Sequence, residues 1–236
     1  KARGKVRAGL PVDLYPDHPR YSSRVADFAF EEVLGEGNFT RVVAATERAT
    51  GQRWAVKVAE KKQLLKLFKE DELIVEKHCL NKLRGVAGVV QIKETFQDCT
   101  HLYLVMQLLP GRELWDLCRV FGVASRPLCR FYFAQLLSTV EEMHSRGIVH
   151  RDIKPENVMV CGEGRTLTLF DFGTAKDAAE GVQGRGNTSS GRNFFRDFVG
   201  TPHFMAPECL HNTASTPASD LYSLGCLYHN LLSGFP

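Results

Sequence analysis

The spacing of apolar residues changes character at Pro110-Gly111, and that single change confines the chain to a sheet-rich part followed by a helix-rich part. Before it, short runs of strand type recur: Phe28-Ala29-Phe30, Val33-Leu34, Arg41 to Thr46, Trp54 to Val58, Val89 to Phe96 and His101 to Met106. One interruption breaks the series. Between Lys61 and Leu83 the residues Leu64, Leu65, Phe68, Leu73, Ile74, Val75, Leu80 and Leu83 recur at helical spacing with charges between them, which predicts one or two helices. After Pro110-Gly111, Leu114 to Phe121 and Leu128 to His144 read as helices, the second stopped by Arg146-Gly147. A hairpin around Gly162-Glu163-Gly164, a Gly- and Ser-rich loop from Asp177 to Arg192, and a helix beginning near Ser219 complete the order. The expected fold class is α+β in two lobes, 27–106 and 107–236, preceded by a basic flexible arm over 1–26.

Composition narrows what such a chain can do. Lys plus Arg number 30 against 27 for Asp plus Glu, a net +3 that is too small for a whole-domain nucleic-acid surface, so no nucleic acid is expected as a partner. Charge is concentrated in the arm, where Lys1, Arg3, Lys5, Arg7, Arg20 and Arg24 would be solvated or make weak contact with anionic lipid. The nearly apolar run Leu102 to Leu109 is far short of the ~20 residues that cross a bilayer, and no transmembrane segment or signal peptide is expected. The 7 cysteines form no C-x-x-C pair and the 8 histidines no H-x-x-x-H, which argues against disulfide and zinc frameworks and for buried thiols in a cytoplasmic protein.

Three groups of residues carry chemistry. Leu34-Gly35-Glu36-Gly37-Asn38-Phe39-Thr40-Arg41-Val42 lies between two strand patterns, where two glycines let a backbone approach a polyphosphate closely. Alone it is an ordinary hairpin. Ala55-Val56-Lys57 follows on a strand and Glu76 on the helical stretch, and a strand lysine held by a helix carboxylate is a phosphate clamp. Then come His150-Arg151-Asp152-Ile153-Lys154-Pro155-Glu156-Asn157, Asp171-Phe172-Gly173 and Ala206-Pro207-Glu208.

In that order the motifs resemble those of the eukaryotic protein kinases, over essentially residues 27 to 236. The resemblance implies a bilobal protein-kinase fold: a small β-rich lobe with a regulatory helix, and a larger α-helical lobe that is incomplete at its C-terminal end. It implies ATP and Mg²⁺ as cofactors, protein hydroxyls as acceptors, Asp152 accepting the hydroxyl proton, Lys154 reaching the transferring phosphate, and Asn157 and Asp171 holding the metal. Lys154 is the form found in serine/threonine kinases. By the same resemblance Leu34, Gly35, Gly37, Asn38, Phe39, Thr40, Val42, Ala55 and Lys57 surround the nucleotide. Met106 stands at the gate behind adenine, where a plain core methionine is equally compatible. Gln107 to Leu109 offer hinge groups, Glu113 faces the ribose, and Glu156 belongs to the same pocket. Thr201 and Asp220 look like supports for the catalytic loop.

Within the AGC group the chain is most similar to the phosphoinositide-dependent protein kinases, through Gly35 to Phe39, Thr95-Phe96-Gln97-Asp98, Arg130-Phe131-Tyr132, Asp171 to Lys176 and Phe198 to Thr201. That implies other AGC kinases as substrates, docked by a phosphorylated hydrophobic tail in a groove matched here by Lys61, Leu64, Leu65, Lys77, Thr95, Gln97 and Leu102. A helix packed on its own lobe explains the same residues without docking. Where the family carries a phosphorylated serine, this chain has Asp197, which would pair with Arg151 and Lys176 and order the segment without phosphate. Thr188, Ser189 and Ser190 are the other candidate switch sites. Recruitment to membranes through parts absent from the chain also follows from the resemblance. Another AGC or calcium-pathway kinase, or a nucleotide-binding docking scaffold without turnover, remains as an alternative reading.

Overall fold

The computed structural model describes residues 24–37, 39–179, 182–183, 202–210 and 215–234. Asn38, Thr188, Ser189, Ser190, Asp197, Thr201 and residues 1–23 of the expected arm lie outside the described residues. The chain divides into two compact units, one of 1–67 with 94–105 and one of 68–93 with 106–236.

The first unit is built on strands β1 (Phe28–Glu36), β2 (Thr40–Glu47) and β3 (Arg53–Glu60), followed by helix α1 (Lys61–Leu67). The strands β1, β2 and β3 are paired antiparallel, with Val42 opposite Lys57 and Ala44 opposite Ala55. Strands β4 (Ile92–Gln97) and β5 (His101–Gln107) extend the sheet to the order β1-β2-β3-β5-β4. Alternation does the sorting: Val43, Ala45, Val56 and Val58 point into a small core with Phe28, Phe96, Tyr103 and Val105, leaving Val42 and Lys57 on the opposite face. The rings of Phe28, Phe96 and Tyr103 stack in series, with centroids 5.6 and 4.7 Å apart. Val89 to Gln91, expected as strand, precede β4; Val89 makes only an isolated bridge to Leu169.

The second unit holds helix α2 (Glu70–Lys82), whose first turn is acidic and whose last turn ends on Lys82, the charge order that suits a helix dipole. The expected helical stretch is two helices because the backbone turns at Phe68, φ 56°. Phe68 to Lys93, expected with the sheet, cluster with the helical unit, because Val75, Cys79, Leu80 and Leu83 sink into the larger core. After β6 (Gly111–Glu113) come α3 (Leu114–Phe121) and α4 (Arg126–Ser145), the latter capped by Ser125 and ended by Arg146-Gly147 with Gly147 at φ 77°.

Short strands follow. These are β7 (Ile148–Val149), β8 (Val158–Cys161), β9 (Thr166–Leu169), β10 (Lys176–Asp177) and β11 (Val182–Gln183). They form two three-stranded sheets, β6-β8-β9 and β11-β10-β7. Helix α5 (Pro207–Leu210) precedes α6 (Pro217–Ser233), which starts from a Thr216/Ser219 capping box. Leu224, Leu227 and Leu231 of α6 are buried with Leu136, Val140 and Met143 of α4, while Leu221 lies exposed.

Candidate functional site

The second unit assembles most of the expected catalytic residues around one turn of chain between β7 and β8. Asn157 Nδ2 donates to the carbonyl of Asp152 at 2.8 Å and to its carboxylate at 2.9 Å. Lys154 Nζ lies 2.8 Å from the same carboxylate. Asp152 is therefore held as an acceptor between two donors, and Asn157 uses its amide nitrogen for this, not its amide oxygen. The backbone N–H of Phe170 donates to the carbonyl of Asn157 at 3.0 Å, which brings Asp171 next to this turn, and Asp171 itself sits at φ 61°. A carboxylate and an amide oxygen are hard donors of the kind magnesium accepts, so the residues present fit that ion. Among the described residues no cluster of three or more His, Cys, Asp or Glu forms a further metal cage.

The turn is supported from beneath. Asp220 of α6 is fully buried and accepts the backbone N–H groups of His150 and Arg151, both at 2.9 Å, together with a 2.9 Å contact to His144 Nε2. Burying a carboxylate is costly unless its oxygens are satisfied, and these donors satisfy them while fixing the loop that carries Asp152. Arg151 takes a left-handed φ of 71° at this tie. The ring of His150 packs edge-on against Phe172, and Thr174 Oγ1 donates to the His150 carbonyl at 3.1 Å. His144 and Thr174 were not singled out from the sequence; neither stands in a motif with the loop it supports.

Arg151 reaches the segment after Gly173 through its guanidinium, which donates to the carbonyls of Thr174 and Ala175. Lys176 donates to the carbonyl of Ser215. Burial pulls both cations below their ordinary range, and Arg151 adds to the effect on Lys176. Their expected carboxylate partner, Asp197, lies outside the described residues. Glu208 accepts from Ser219 Oγ at 2.8 Å.

The other residues of this unit that were expected near the nucleotide follow along the chain. Met106 is buried in the larger core, as either reading of it allows. The Gln107 N–H is bonded to the Gln91 carbonyl at 2.8 Å, so that particular group serves the fold, and Leu109 packs against the core. Glu113 precedes α3, its carboxyl raised by burial and then by the charges of Asp116 and Glu156. One carboxylate oxygen of Glu156 is buried with no hydrogen-bond partner. Glu76 is buried on α2.

In the first unit Val42, Ala55 and Lys57 share one sheet face, as their register requires, with Leu34 exposed near the end of β1. The Gly37 N–H closes the turn on the Thr40 carbonyl at 2.7 Å. A side chain at Gly35 would meet nothing within 4 Å, so that position is open to a ligand rather than needed for packing. A hollow lined by Gly37, Phe39, Thr40, Val58, Glu60, Gln63 and His101 involves Val58 and Glu60, on the face opposite Lys57.

The docking residues fall in both units. Lys77 lies exposed on α2 in the second. In the first, Thr95 and Gln97 flank the buried Phe96 and Leu102 precedes the buried Tyr103, so these three face away from the small core. Leu64 is buried and Leu65 exposed. Lys61 departs from the expected phosphate-facing cation: it is only 8% exposed, donates to the carbonyl of Asp98, and is lowered from its ordinary pKa by burial.

The family described as "Protein kinase domain" matches residues 28–236. The chain is 35% identical over 218 residues to serine/threonine-protein kinase PKH1 of Saccharomyces cerevisiae, covering 90% of this chain and 28% of that protein. It is 39% identical over 213 residues to serine/threonine-protein kinase PKH3 of Eremothecium gossypii, covering 89% of this chain and 28% of that protein. To 3-phosphoinositide-dependent protein kinase 1 of Homo sapiens it is 36% identical over 222 residues, 94% of this chain and 38% of the human one. The chain thus spans well under half the length of these relatives. With its sheet-rich and helix-rich units, its Asp152 turn pinned by Asp220, and a match over nearly its whole length, the chain belongs to the protein kinase domain family.

Proposed function

We propose that this chain is the catalytic domain of a serine/threonine protein kinase that transfers the γ-phosphate of ATP to protein hydroxyls. The observation that carries the reading is the Asp152 turn, in which Asn157 and Lys154 orient one carboxylate and Asp220 holds the backbone. The carboxylate of Asp152 would take the proton of the incoming Ser or Thr hydroxyl as the oxygen attacks phosphorus. The ammonium of Lys154, beside it, would offset charge on the transferring group. Magnesium, when bound by Asp171 and Asn157, would supply positive charge next to the phosphates. Lys57, with Glu76, would hold the remaining phosphates of the nucleotide. Transfer of labelled phosphate from Mg-ATP to a Ser/Thr peptide tests this. Asp152→Asn is expected to lower kcat by at least about 100-fold. A parent protein that binds Mg-ATP without transferring phosphate would instead mark a binding scaffold.

The finer reading is that its substrates are other AGC kinases carrying a phosphorylated hydrophobic tail. It is supported by the resemblance at Thr95 to Gln97 and by the half-buried placement of Thr95, Gln97 and Leu102 on the face away from the small core. For Lys61 to contact phosphate it would have to leave the Asp98 carbonyl. Leu102→Glu is expected to abolish phosphorylation of tail-bearing substrates while sparing a short tail-less peptide. Equal loss on both would remove tail docking from the account.

A further inference from the structure

We infer that Asp177 is a positioning residue that fastens the start of the segment following Asp171-Phe172-Gly173 to α2, independently of any phosphate. The inference rests on the kinase reading above and adds a residue to it.

Asp177 lies on β10, where it pairs with Ile148 while Lys176 pairs with Val149, the residue immediately before His150. The Ala178 N–H donates to the Gly147 carbonyl at 2.8 Å. The strand is thus locked to the entry of the catalytic turn. Its side chain points the other way in function: with no exposed side-chain surface, it accepts from Lys82 Nζ at 2.6 Å and contacts His78 Nε2 at 2.9 Å. The second oxygen takes the Ala179 N–H at 3.0 Å. His78 and Lys82 are one turn apart on α2, so a single carboxylate clasps one face of that helix. The same helix carries Glu76. Cys79, between the two, has its thiol pushed up to about 12, by burial first and by the charge of Asp177 next.

The pairing of β10 with β7 and the buried carboxylate of Asp177 on α2 therefore together join three parts that the reaction needs in fixed relation: the turn bearing Asp152 and Asn157, the segment that begins at Asp171, and the helix bearing Glu76. A buried carboxylate with a lysine partner resists separation, because pulling them apart leaves a charge in an apolar setting.

The experiment combines steady-state kinetics on phosphatase-treated protein with hydrogen exchange on the same samples. Asp177→Asn and Lys82→Met are each expected to lower kcat about tenfold with the peptide KM within about twofold, and the double variant to be no worse than either single one. Amides of α2 should exchange about tenfold faster in these variants, and at the parent rate in Asp152→Asn. His78→Gln, at a partly exposed position, should give a smaller change in the same direction and keeps the test open if Asp177→Asn does not fold. Lowered thermal stability with kcat within twofold of the parent would reduce the cluster to a structural ion pair and overturn the inference. If the parent transfers no phosphate, faster α2 exchange in Asp177→Asn supports the clasp while the kinase reading fails; unchanged exchange overturns the clasp whatever the activity.

Discussion

Asp98 shows how much one carboxylate can order. It accepts from Tyr103 Oη at 2.7 Å, from the Thr100 and His101 N–H groups at 2.7 and 2.6 Å, and from Thr100 Oγ1 at 3.0 Å. Burial would raise its pKa, but these donors outweigh burial and bring it from 3.8 to about 2. A depressed carboxylate stabilises the fold above its unfolded value, and that contribution is lost as pH falls through the folded one. Asp98→Asn should therefore cost about 1–2 kcal/mol at pH 7 and flatten the acid limb of stability between about pH 4 and pH 2. Thermal denaturation across pH measures both, and an unchanged acid limb would show that the hydrogen bonds do not favour the ionised form. What the sequence disclosed at this scale was local. Asp152, Lys154 and Asn157 stand within one turn and could be read together, whereas Asp177 finds Lys82 at a separation of 95 residues and His78 at 99. No spacing rule reaches that far.

Elements were legible where their ends carried their own signals. Arg146-Gly147 stops α4, and the predicted run Leu114 to Phe121 is α3. They were less legible where tertiary packing decided. Val89 to Gln91 have the β-branched character of a strand, yet the Val90 N–H is committed to the Leu169 carbonyl and the Gln107 N–H to the Gln91 carbonyl, so the ladder of β4 begins only at Ile92. The helical stretch after Lys61 contained no Gly or Pro to announce a break, and Phe68 nonetheless takes φ 56° between α1 and α2. Helix α6 gave the opposite case. Its Leu224 and Leu227 are buried with α4 while Leu221 stays exposed, and Asp220, between the capping box and these leucines, turns inward to hold the Asp152 turn. The polar residue in this apolar helix is the one that ties it to the His150-Arg151 backbone.

At the scale of the molecule, the two apolar cores differ in composition and in what they support. The smaller contains the stacked Phe28, Phe96 and Tyr103 behind the strands that bear Val42, Ala55 and Lys57. The larger contains Leu136, Met143, Phe172 and Leu227 beneath the Asp152 turn. Kinship to the protein kinase domain was readable from ordered motifs, but assignment of α2 to the helical unit was not, since that depends on which core its Val75 and Leu80 enter. Separate cores predict separable losses of protection. Phe96→Ala should cost about 3–5 kcal/mol and speed native-state hydrogen exchange chiefly in β1, β2, β3 and β5, while Leu227→Ala should cost about 2–5 kcal/mol and do so chiefly in α4, α6, β8 and β9. Uniform acceleration across the chain in both variants would mean that the two cores unfold as one. Because the second core buries Leu224 and Leu227 on the helix that carries Asp220, and the first backs the strands whose other face bears Lys57, the two variants should also part in function. On the kinase reading proposed above, Leu227→Ala, beneath the Asp152 turn, is expected to lower kcat, and Phe96→Ala, behind the strand face that bears Lys57, to raise the KM for ATP.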